Sequence, residues 1–119
     1  MHGDTLTQCI ARYGPIREEA KPGGPLLFVK PPFLIYIVFE HGKAANLNYQ
    51  LLATDNSAHD HSKPINNNDI KALLNSNSRG VPWREGKSTK KHRVWKSTDG
   101  KLAAFYILSW NVLNIQTCK

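Results

Sequence analysis

At 119 residues, 40% of them apolar, the chain is long enough for one hydrophobic core and short for two. Sixteen Lys and Arg against nine Asp and Glu leave a formal charge of +7. That balance suits an acidic protein face, an anionic membrane surface or a nucleic acid, and selects none of them. No run approaches the ~20 apolar residues of a membrane span, so a soluble chain without a membrane-spanning segment is expected.

Met1-His2-Gly3-Asp4 has neither a basic n-region nor an apolar h-region, so no signal peptide is read there. A cytosolic protein and a mature exported protein with an added Met1 both fit. The first predicted element is a helix over Thr5–Tyr13. Thr5 and Gln8 form a capping box, Leu6, Cys9, Ile10 and Tyr13 share one face, and Gly14-Pro15 stops the turn.

Pro22-Gly23-Gly24-Pro25 marks a corner, and a strand over Leu26–Lys30 follows up to Pro31-Pro32. Phe33–Phe39 is apolar at every position, which predicts a strand with two apolar faces, one against helices and one covered by a partner, a loop or another subunit. His41-Gly42 predicts a tight turn into Lys43–Leu52, where Ala45, Leu47, Tyr49 and Leu51 share a face.

After a polar loop, Asn66 caps a second predicted helix over Asn67–Asn77, with Ile65 stapled to Ile70 and a stripe of Ile70, Leu73 and Leu74. Gly80 and Pro82 end it. Arg84–Lys91 reads as polar connection. A hairpin of His92–Ser97 and Lys101–Leu108 turns at Asp99-Gly100, and a last strand runs from Trp110 to Cys118.

The order of capped helix, Gly and Pro, then hairpin occurs twice. Gly42-Lys43 recurs as Gly100-Lys101, and at the same spacing Ala45 matches Ala103 and Leu47 matches Phe105. The expected fold is α+β: one domain over 1–119, built of two tandem helix-plus-hairpin repeats. They cover about 4–52 and 65–118 around a loop at 53–64, with both helices packed on one antiparallel sheet. The segment Thr5-Leu6-Thr7-Gln8-Cys9-Ile10-Ala11-Arg12-Tyr13-Gly14-Pro15, with the strand, Gly-Lys turn and strand after it, resembles the opening unit of the beta-lactamase inhibitor protein and the SmpA/OmlA outer-membrane-assembly lipoproteins. The resemblance implies a periplasmic or exported protein that binds other proteins through its sheet, without catalysis or cofactor.

Candidate chemistry is sparse. His59-Asp60-His61 is the one ligand-like cluster, but nothing nearby completes a metal site, so no metal is expected. Neither a nucleophile elbow nor a phosphate loop occurs, and no enzyme is expected. Tyr36, Trp95, Tyr106 and Trp110 are candidate anchors for a protein partner, against the commoner fate of core burial. Lys87, Lys90, Lys91 and Arg93, flanked by Trp83 and Trp95, are the alternative, a nucleic-acid contact. Cys9 and Cys118 either close most of the chain in a disulfide, which an oxidising compartment would sustain, or remain two separate thiols. The composition and motifs name no reaction and no partner.

Overall fold

A computed structural model describes residues 1–19, 24–51 and 64–118. Helix α1 spans Leu6–Tyr13, and its capping box is complete. The Gln8 N–H donates to Thr5 Oγ1 at 3.3 Å, and the Thr5 N–H donates to Gln8 Oε1 at 2.8 Å. Helix α2 spans Asn67–Ser78, capped by Asn66, whose Oδ1 accepts from the Asp69 N–H at 2.8 Å. Its end differs from the expectation built on Gly80. Arg79 takes the left-handed position at φ 55, which costs a side-chain-bearing residue about 1 kcal/mol. In that position its guanidinium reaches the Asp4 carboxylate at 3.0 Å, a contact glycine cannot make.

The strands are β1 (Glu18–Glu19), β2 (Leu26–Lys30), β3 (Phe33–Glu40), β4 (Lys43–Leu51), β5 (Trp83–Glu85), β6 (His92–Ser97), β7 (Leu102–Ile107) and β8 (Val112–Thr117). They form one antiparallel sheet in the order β1-β2-β3-β4-β8-β7-β6-β5. Each helix is followed by four strands, and the last strands of the two sets meet along a β4–β8 seam in the middle of the sheet. The short edge strands β1 and β5 were not foreseen; β1 holds only glutamates, and β5 lies partly in the stretch read as polar connection. At the other end, Trp110 belongs to the turn before β8 rather than to the strand.

His41 and Gly42 both have positive φ, 53 and 77, the signature of a two-residue hairpin with a type I′ turn. Gly42-Lys43 joins β3 to β4, the third and fourth strands of the first set. Gly100-Lys101 joins β6 to β7, the second and third strands of the other. The matched letters therefore sit at different places in the two sets. A register shift between Val38 and Phe39 inserts a bulge, so that Ala44 is buried opposite Phe39 and Ala45 leaves the face of Leu47 and Tyr49.

Both helices lie on one side of the sheet. Beneath them Phe28, Ile35, Ile37, Leu47, Tyr49, Ala104, Leu113 and Ile115 form a continuous apolar layer with Cys9, Tyr13, Ile65, Ile70 and Leu74 from the helix side. Full burial of each Leu, Ile or Phe there contributes about 1.5–3 kcal/mol. The helical stripe of α1 is narrower than its spacing suggested: Cys9 and Tyr13 are buried, whereas Leu6 and Ile10 stay exposed on the flank. Among the described residues no helix is long and apolar enough to cross a membrane.

Candidate binding face

Side chains alternate across a strand, so burying Ile35, Ile37, Leu47, Tyr49, Leu113 and Ile115 under the helices turns their neighbours to the opposite face. No described helix covers that face. Cross-strand registers assemble it row by row. The central row reads Leu27, Tyr36, Asn48, Asn114, Phe105, Val94 from β2 to β6. Two amides thus sit on the seam between two aromatic rings, the rings three strand spacings apart, about 14 Å. On one side lies the row Val38, Asn46, Gln116, Ala103, Lys96, Arg84, and on the other Leu34, Gln50, Val112, Ile107, His92.

The seam amides hold one another. Asn114 Nδ2 donates to Asn46 Oδ1 at 2.6 Å and to Asn48 Oδ1 at 2.8 Å, bridging two positions of the neighbouring strand. Two hollows of about 450 Å³ each flank this network. One is floored by the small Ala103 beside Asn46, Phe105 and Gln116; the other lies between Asn114, Ile107 and Trp110. Charge on the face is uneven, because Lys96 and Arg84 stand paired at the β5–β6 end, close in sequence to exposed Lys87, Lys90 and Lys91. Amides, aromatic rings and cations can dock a partner.

The aromatic candidates divide. Tyr36 is half-buried on the open face, and Trp110 is 63% exposed at the rim of a hollow. Trp95 and Tyr106 face the helices instead, 6% and 4% exposed, and belong to the core. Register decides this: Trp95 pairs with Ala104, and Tyr106 with Leu113, both inward positions. The Tyr106 hydroxyl donates to Asn111 Oδ1 at 2.6 Å, and the same oxygen accepts from the Ile65 N–H, fastening the approach to α2 onto the β7–β8 turn. Phe105 and the amides of Asn46, Asn48, Asn114 and Gln116 were missed, although the alternation of Asn46, Asn48 and Gln50 with Leu47 and Tyr49 carries the signal.

Of the basic candidates, Lys87, Lys90 and Lys91 are exposed in the β5–β6 loop. Arg93 is engaged within the fold. Its Nε donates to Glu85 Oε2 at 3.1 Å, its Nη1 donates to Asn67 Oδ1, and its guanidinium lies 4.7 Å from the centre of the Trp95 ring. The flanking indoles are likewise occupied: Trp95 is in the core, and Trp83 Nε1 donates to the Leu74 carbonyl of α2 at 2.8 Å.

Cys9 and Cys118 are free thiols. Cys9 is fully buried beneath α1, while Cys118 lines the hollow around Asn46 and Gln116 on the other side of the sheet. Of the two readings of the pair, separate thiols hold, because the sheet lies between them. Burial is the main force raising the Cys9 thiol above its ordinary pKa, which keeps it protonated and inert. His59-Asp60-His61 lies outside the described residues. Among the described residues no three potential metal ligands gather.

A polar cluster on the helix side was also missed. Asp4, 2% exposed, receives Arg12 Nε at 3.1 Å and Arg79 Nη2 at 3.0 Å, and lies 3.2 Å from the Met1 amine. Burial alone would raise the carboxyl, but the Met1 amine and Arg12 outweigh it and hold Asp4 below the usual carboxylate range. Beside it Tyr49, Tyr13 and Asn77 share hydroxyl and amide hydrogen bonds of 3.2 and 3.0 Å. No protein-family model, no curated protein and no solved structure matches this chain.

Proposed function

We propose that this chain is a non-enzymatic protein-binding module that receives an acidic partner segment on the open face of its sheet. The carrying observation is the central row, in which Tyr36 and Phe105 bracket Asn48 and Asn114. Carboxamides offer donors and acceptors to a peptide backbone, and the rings offer contact area at small entropic cost. The net charge of +7 and the Lys96–Arg84 end of the face favour an acidic partner. Export to the periplasm or beyond rests on the resemblance of the Thr5–Pro15 segment alone, because two separated free thiols lend it no support.

A duplicated unit would explain the mirrored strand order. With Asn48 and Asn114 at the centre, Leu47 corresponds to Leu113, Gln50 to Gln116, Tyr36 to Phe105 and Phe28 to Trp95. The open face would then be two copies of one half-site.

The test replaces Phe105 with benzoylphenylalanine in one sample and exposed Gln8 of α1 in another, followed by irradiation in a lysate of the source cell. A protein adduct specific to the Phe105 probe, weakened at least tenfold by Tyr36→Glu, is expected. Equal adducts from both positions would overturn the reading. The alternative is a small basic nucleic-acid-binding protein using the Lys87–Arg93 segment, supported by the three exposed lysines. It requires retention on mixed DNA or RNA at low salt, with a salt slope that flattens when Lys87, Lys90, Lys91 and Arg93 become alanine. We expect no such retention.

A further inference from the structure

On the helix side of the sheet, opposite the open face, the two helices leave a cleft of about 250 Å³ between the end of α1, the β2–β3 turn and the middle of α2. Its inner walls are Phe33, Leu73, Tyr13 and Tyr49, with the Phe33 and Tyr49 rings edge to face at 6.1 Å. Arg12 and Lys30 stand at its rim, Met1 also lines it with its amine donating to the Tyr13 hydroxyl at 2.9 Å, and no carboxylate lines it among the described residues. The Asp4 carboxylate beside Arg12 is turned to the guanidinium Nε and shared with Arg79 and the Met1 amine. Lys30 is exposed at the end of β2 and forms no salt bridge among the described residues.

These features select a ligand class. The volume falls below the roughly 300 Å³ at which drug-sized pockets begin, and at interior packing density it holds about a dozen non-hydrogen atoms. The walls are flat rings and aliphatic carbons, which favour an aromatic body. The rim is cationic on two sides, so a neutral or positively charged ligand leaves it unbalanced, whereas a carboxylate meets a planar guanidinium and an ammonium. We propose that this cleft is a binding site for a small aromatic carboxylate, its ring between Phe33, Leu73 and Tyr49 and its carboxylate at Lys30 and Arg12. The site is independent of the open face and of whatever docks there.

The test titrates the full chain with 1-naphthoate, followed by ligand fluorescence, with 1-naphthalenemethanol as the neutral probe of the same shape. Saturable one-to-one binding of naphthoate is expected, with the alcohol at least tenfold weaker. Lys30→Glu, at an exposed position that leaves the core untouched, should weaken naphthoate at least fivefold. Leu73→Trp should fill the cleft and abolish binding while the circular dichroism stays native. Absence of saturation, equal affinity for the alcohol, or unchanged binding by Lys30→Glu overturns the proposal, whether or not the Leu73→Trp variant folds.

Discussion

Asp4 is the residue on which distant parts of the chain converge, since its carboxylate joins Arg12 of α1 to Arg79 beyond α2. Both arginines are substantially exposed, so they regain water when the carboxylate is removed, and the loss is smaller than for a fully buried pair. Asp4→Asn should cost about 2 kcal/mol in urea denaturation at pH 7. The pH dependence follows from the depressed folded pKa. The unfolded carboxyl takes up its proton first as pH falls, so the contribution of Asp4 is complete above about pH 4 and is lost as pH drops through the lower folded value. The gap between the wild-type and Asp4→Asn unfolding curves should be full at pH 4.5 and narrower at pH 2.5. His2 has the same sign at a higher pH. Burial is the main cause of its lowered pKa, so the unfolded state protonates first below about pH 6.5. Its Nε2 lies 2.7 Å from Thr117 Oγ1. Stability should therefore fall between pH 7.5 and 5.5, and His2→Gln should flatten that limb in thermal melts.

At the scale of the element, helix boundaries are set by single residues with separable roles. Thr5→Ala removes one acceptor of the capping box and should cost about 1 kcal/mol, as should Asn66→Ala at the start of α2. Arg79 combines a strained backbone with a favourable ion pair. Arg79→Ala keeps the strain and loses the pair, whereas Arg79→Gly loses both, so the glycine variant should be the more stable of the two by about 1 kcal/mol in denaturant titrations. The strands divide their labour by alternation. In β4, Leu47 and Tyr49 pack beneath the helices, while Asn46, Asn48 and Gln50 stand on the open face.

For the whole molecule, the β4–β8 seam lets a core and a candidate binding face share the same described strands. The sheet also separates the two cysteines. In native protein Cys118 should react with a thiol reagent while Cys9 reacts only on unfolding, and denaturant without reductant should release two thiols per chain. Finding none would contradict the fold around Cys9 as well as the free state of the pair.

What the sequence alone determined is local. Thr5 with Gln8, Asn66 with Asp69, and His41-Gly42 act through contacts spanning a few residues, so their helix starts and turn can be read without knowing what lies across the sheet. The run Phe33–Phe39 likewise announced a strand with two apolar faces. Tertiary structure decided which face each residue took and what met it there. For Trp95 and Tyr106 the sequence left interface and core both open, with core the commoner fate; pairing with Ala104 and Leu113 turned them inward, and Phe105, matched to inward Leu47 by its spacing, was turned outward by the same register. The burial of Asp4 and Asn77 was not read from the sequence, because each needs a partner from far along the chain, Arg79 and Tyr49, beside the local contacts to Met1, Arg12 and Leu73. A buried polar group is stable only where its hydrogen bonds are completed, and here Arg79 and Tyr49 reach Asp4 and Asn77 only when segments distant in the chain have come together.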